Sequence, residues 1–120
     1  MKLKIVLVLL LAFLLTSNES LEAQTIITSG FVLIPKRKYS AAVSNEITVT
    51  SKNIYIKGTV NISFLRTRTD YETNEMYVMD FLKKEYVVRL MPIDGIRHFI
   101  IFNLDEKIEY IFTIDGMIHL

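Results

Sequence analysis

The sequence predicts an all-β fold: an antiparallel meander of about eight strands, strongly curved or closed into a small barrel, preceded by a helical signal peptide. Three observations predict it. Beyond residue 23 the chain is rich in Ile, Val, Thr, Tyr and Phe, which suit a pleated, half-buried surface. Its apolar residues alternate instead of recurring every third or fourth place. The pairs Asp94-Gly95 and Asp115-Gly116 each separate two apolar stretches, and Asp-Gly there is a strong hairpin signal because Gly accepts a positive φ.

The first residues stand apart from this pattern. Lys2 and Lys4 form a short positive region, and Ile5 to Leu15 is an unbroken apolar run. The polar stretch Thr16-Ser17-Asn18-Glu19-Ser20 follows, then Leu21-Glu22-Ala23. This is the layout of a secretory signal peptide, with cleavage expected after Ala23. The apolar run is well short of the ~20 residues of a membrane span, so no transmembrane span is expected in the mature chain. The expectation is therefore a signal peptide over 1–23 and a single all-β domain over 24–120, secreted or periplasmic.

The formal net charge is +1. Losing Lys2, Lys4, Glu19 and Glu22 with the signal peptide leaves that balance unchanged. No global field draws such a domain to nucleic acid or to a membrane surface. Cysteine is absent, which excludes a disulfide framework, a thiolate metal site and a thiol nucleophile. An exported domain without disulfides points to a bacterial source.

The elements are expected in this order. Strands fall at Thr25–Ile34, Glu46–Thr50, Ile54–Lys57, Thr59–Thr67, Glu75–Phe81, Tyr86–Met91, Arg97–Leu104, Ile108–Ile114 and Met117–Leu120. Gly58 reads as a bulge bending one long strand. Lys83-Lys84, Ser51-Lys52-Asn53 and residues 103–107 read as polar tips. Short connections join antiparallel neighbours, so residues 46–120 read as one continuous meander. Ile108, Tyr110, Phe112 and Ile114 share one face. In Arg97–Leu104 both faces are apolar, as in a central strand covered on both sides. Pro35 to Asn45 and Asp70 to Asn74 read as the longer connections.

The candidate binding residues are Arg66 and Arg68. In Val60-Asn61-Ile62-Ser63-Phe64-Leu65-Arg66-Thr67-Arg68 both arginines continue the parity of the apolar residues Val60, Ile62 and Phe64. Either the strand outruns its core, with the Arg stems lying along apolar surface and the heads in water, or two guanidiniums line a curved sheet to grip an oxyanion. Lys36-Arg37-Lys38 is the densest basic cluster and reads as a solvated loop that discourages edge pairing. His98 and His119 are the only histidines, and nothing in their spacing predicts a metal site. No catalytic residues and no cofactor are expected: the serines lie in no nucleophile elbow, and no Gly-rich loop precedes a helix.

In outline the meander is similar to lipocalin-like barrels, although the chain has no Trp and so lacks their Gly-x-Trp entry motif. Two functions are expected in turn. The first is a non-enzymatic exported module that contacts an unknown protein or other envelope component. The second is a carrier of a small apolar or anionic ligand, with a cavity lined by Tyr86, Val88, Leu90, Ile100, Phe102, Tyr110 and Phe112.

Overall fold

A computed structural model describes residues 24–120. The predicted signal peptide over 1–23 lies outside the described residues.

The domain is one antiparallel sheet of eleven strands. They are β1 Thr25–Ser29, β2 Val32–Ile34, β3 Tyr39–Ala41, β4 Asn45–Val49, β5 Asn53–Lys57, β6 Ile62–Asp70, β7 Glu75–Met79, β8 Glu85–Ile93, β9 Ile96–Asn103, β10 Ile108–Thr113 and β11 Gly116–His119. A single 3-10 turn, Pro35–Arg37, links β2 to β3. Among the described residues no helix is long and apolar enough to cross a membrane.

The strand order is β11-β1-β4-β5-β6-β7-β8-β9-β10-β2-β3. The expected meander is present from β4 to β10, where sequence neighbours are sheet neighbours. It ends there, because β11 leaves the run to pair with β1. Nor is the sheet a closed barrel: β11 and β3 are its edges.

It curves nonetheless. Ile27, Val32, Ile47, Ile54, Phe64, Val78, Val88, Phe99 and Phe112 come from nine strands, yet they are buried in one cluster. The two ends of the sheet also stay linked. The predicted strand Thr25–Ile34 breaks at Gly30-Phe31 into β1 and β2, and Ile114-Asp115 separates β10 from β11. The pairs Thr28↔Gly116 and Val32↔Phe112 lie on either side of that break. Across it the Asp115 amide donates to Thr28 O at 2.8 Å and the Thr113 amide to Phe31 O at 3.1 Å. The break reverses which residues face the core. Ile27 and Ser29 are buried before it, Val32 and Ile34 after it. That reversal lets one interrupted strand serve both ends of the sheet.

Three local expectations are corrected. Gly58 does not bulge a long strand; residues 58–61 turn the chain between antiparallel β5 and β6. β6 therefore starts three residues later than expected and runs on to Asp70. The connection Pro35 to Asn45 contains the short strand β3, paired through Leu33↔Ser40. Strand β9, by contrast, is covered on both faces as predicted: Phe99, Ile100, Ile101 and Phe102 are all buried.

Candidate functional site

The two arginines are not side by side. Arg66 pairs with Val78, and the next pair is Arg68↔Tyr77, so Thr67 is an extra residue in β6. A bulge of this kind adds one residue to one strand and reverses the facing of everything beyond it. Arg66 keeps the side of buried Val78, while Arg68 passes to the opposite, outer side with Tyr77.

Arg66 is engaged internally. Its Nη1 donates to Thr50 O at 2.6 Å and its Nη2 to Thr69 Oγ1 at 2.7 Å. Nε is buried without a partner. Burial pushes this guanidinium below its ordinary value, with Tyr71 opposing. The side chain ties β6 to the end of β4, as an anchor between strands.

Arg68 opens a chain of contacts on the outer face. Its guanidinium carbon lies 3.9 Å from the centroid of the Tyr77 ring. The Tyr77 hydroxyl donates to Glu75 Oε1 at 3.3 Å, and Thr73 Oγ1 donates to the same oxygen at 3.2 Å. Glu75 Oε2 accepts from Arg89 Nε in a close ion pair. The Arg89 guanidinium in turn lies 4.6 Å from the Phe102 ring centroid. Register explains the order, because Arg68↔Tyr77, Glu75↔Arg89 and Val87↔Phe102 are direct cross-strand partners. The hydrogen bond from Arg89, chiefly, holds the Glu75 carboxyl below its usual range. Farther along, Asn103 Nδ2 donates to Glu109 Oε2 at 3.2 Å, and Lys36 Nζ lies 3.9 Å from that oxygen. Lys36 thus faces an acid while staying exposed, as Arg37 and Lys38 are.

Beyond this layer the β8–β9 hairpin outruns the core. Asp94 and Gly95 both have positive φ, 54° and 81°, the signature of a type I′ turn whose twist matches its strands. The ladder continues regularly to Ile93↔Ile96, yet burial stops at Val88 on one strand and Phe99 on the other, apart from partly covered Arg89 and His98. Leu90, Met91 and Ile93 are each 38% exposed and Ile96 is 54% exposed. Alternation puts Met91, Ile93 and Ile96 on the side that carries Arg89, so the arm prolongs the outer face.

The residues expected to line a ligand cavity are divided. Tyr86, Val88 and Phe112 are in the core cluster, and Tyr110 packs against it. Ile100 and Phe102 are buried outside that cluster, and Leu90 is on the exposed arm. Two clefts of the described surface lie elsewhere. One of about 590 Å³ is lined by Thr28, Asn45, Glu46, Lys57 and Asp115, and a neighbour of about 430 Å³ by Glu46, Tyr55, Lys57 and Asn61. Among the described residues no three His, Asp or Glu side chains gather as metal ligands would. His119 Nδ1 contacts Thr25 Oγ1 at 3.0 Å, and His98 Nδ1 contacts Ile96 O at 2.7 Å, on different strands.

Sequence reasoning passed over Glu75, Tyr77 and Arg89. Each is unremarkable alone, and only the register of β6 to β9 makes them neighbours. The arm carried a readable signal: Leu90-Met91-Pro92-Ile93 is apolar at both parities right up to a tight turn, where a hairpin end is ordinarily solvated. No protein-family model matches the chain, and no curated protein or solved structure matches it either.

Proposed function

We propose that this is an exported, non-enzymatic β-domain that works by contact with another macromolecule at the cell envelope, and that the β8–β9 arm is its contact surface. The observation that carries the reading is the exposure of Met91, Ile93 and Ile96 on one face of a regular hairpin that has left the core, with Leu90 exposed on the other face. A single exposed apolar residue needs no explanation, but a contiguous patch marks an interaction site. The carboxylate of Asp94 at the apex argues for a protein partner over the interior of a bilayer, where an unpaired carboxylate is costly. Supporting export are the positive region, the apolar run and the polar stretch before Gln24.

The test is site-specific photo-crosslinking in the source cell from position 96, with position 57 on the opposite part of the sheet as control. A discrete adduct from 96, absent from 57 and lost in the Ile93→Asp variant, is the expected result. Identical patterns from both positions would remove the arm from the proposal. Retention of the unprocessed chain in the membrane fraction would remove export.

A further inference from the structure

We infer that the free edge of β11 pairs with β11 of a second copy of this chain, giving a two-fold dimer with one continuous sheet. The proposal concerns a different strand from the arm and does not depend on it.

The two edges of the sheet are unlike. β3 is three residues long and follows directly on Lys36, Arg37 and Lys38. Positive charge is a usual means of keeping an edge from pairing. β11 has neither charge nor proline nor bulge: it reads Gly116-Met117-Ile118-His119, then Leu120. Ile118 and Leu120 are 58% and 60% exposed. Apart from β1, no described strand pairs with it.

Its backbone is arranged for self-pairing. The Leu120 amide donates to Gln24 O at 2.9 Å, within the register Thr25↔His119 and Ile26↔Ile118. Antiparallel pairs alternate between hydrogen-bonded and not, so residues 116, 118 and 120 turn their amides and carbonyls toward β1. Met117 and His119 then turn theirs outward. A two-fold axis at Ile118 sets Met117 against the second copy's His119 and the reverse. Each such pair exchanges both of its hydrogen bonds, so every outward donor and acceptor of Met117 and His119 is satisfied. Ile118 meets its own copy across the axis as a non-hydrogen-bonded pair, the geometry in which side chains approach most closely. With a net charge of +1, two copies meet without strong mutual repulsion. Head-to-tail pairing of β11 with β3 would generate rings or open filaments, and the basic cluster beside β3 disfavours it. An edge this short buries less than the ~1,200 Å² of a standard interface, so the dimer is weak and concentration-dependent.

Sedimentation equilibrium over a concentration series of the purified protein tests this. The mass average should rise from one chain toward two through the micromolar range. Ile118→Lys, which sets two ammonium groups together at the axis, should remain a monomer throughout. His119→Pro removes one outward amide per chain and keeps the inward backbone bonds to β1, losing only the side-chain contact with Thr25, so it should shift association to several-fold higher concentration even if Ile118→Lys folds poorly. Ser40→Lys, on the other edge, should associate as the parent does. A parent that stays monomeric at every concentration overturns the proposal. So does a folded Ile118→Lys variant that still doubles, or a loss of association in Ser40→Lys.

Discussion

Arg68 sits over the Tyr77 ring on the outer face of the sheet, while Arg66, two residues earlier, reaches the opposite side to bond Thr50 and Thr69. One extra residue, Thr67, separates the two fates. Arg66 thereby becomes a strut between strands, and Arg68 becomes the first member of a cation–aromatic and ion-pair chain that ends on Phe102.

Deleting Thr67 should leave the fold intact. The pairs Arg66↔Val78, Arg68↔Tyr77 and Thr69↔Met76 already follow one another on β7 without a gap, so removal regularises the ladder and keeps every partner. The loss is the 3.0 Å bond from Thr67 Oγ1 to Tyr77 O and the local twist a bulge supplies. The expected cost is about 1 kcal/mol, a fall in Tm of about 4–8 °C for a domain this size. Thermal denaturation followed by circular dichroism measures it. A deletion variant that does not fold would show the twist at Thr67 to be indispensable.

Acid should weaken the outer layer through Glu75. Its carboxyl is held low in the folded state, first by the hydrogen bond from Arg89. A depressed folded value means stability that is present above the ordinary carboxylate value, about 4.3. That stability fades as pH falls through the lower folded value. Glu75→Gln should therefore be less stable than the parent at neutral pH, and the gap should close on acidification below the ordinary value. Urea melts of both proteins at a series of pH values test this. A gap that stays constant from neutral pH into acid would mean that ionised Glu75 has no net role.

Gly58 and Gly95 should respond differently to alanine. Gly58 has φ +138°, and a Cβ there would come within 2.6 Å of Ser44 O and 2.9 Å of Asn45 Cα. Gly95 has φ +81°, with nothing within 4 Å of an added Cβ. Gly95→Ala carries only the backbone strain, about 1 kcal/mol. Gly58→Ala adds a collision with backbone at the start of β4 and should cost about 3 kcal/mol or more. Equal losses in denaturant melts would place the difference elsewhere than in that close approach.

What was legible in the chain was what adjacent residues decide. The unbroken apolar run Phe99-Ile100-Ile101-Phe102 announced a strand covered on both faces, and Asp94-Gly95 announced its hairpin. Features that depend on one residue more or less were not legible. Thr67 carries no mark of a bulge, so extrapolating parity from Phe64 put Arg66 and Arg68 on one face. Val60 and Ile62 share parity with Phe64, which hid the turn at 58–61. The partner of β11 lies in β1, at the far end of the domain's sequence, and no local pattern encodes such a pairing. Tyr39-Ser40-Ala41 has no alternation to betray a strand, because both Tyr39 and Ser40 are exposed.

The last prediction concerns Tyr86, whose ring meets Phe64 edge-on with centroids 5.4 Å apart. Its hydroxyl lies at the rim of the core, 3.4 Å from Asp80 Oδ2. Burial, then the nearby charge of Asp80, pushes this phenol up to about 12. A raised folded value means that the unfolded chain, whose Tyr ionises near 10, gives up its proton first as pH rises. Stability from Tyr86 is thus complete below pH ~10 and declines from there toward the folded value. Tyr86→Phe keeps the edge-on aromatic contact and cannot ionise. Its stability at neutral pH should stay within about 1 kcal/mol of the parent, and the parent's alkaline loss should be smaller in the variant. Phe64→Ala, which empties the other half of the contact, should cost about 3–5 kcal/mol at any pH. Denaturant melts at neutral and alkaline pH separate the two effects. If Tyr86→Phe and the parent lose stability in parallel above pH ~10, the alkaline transition belongs to other residues.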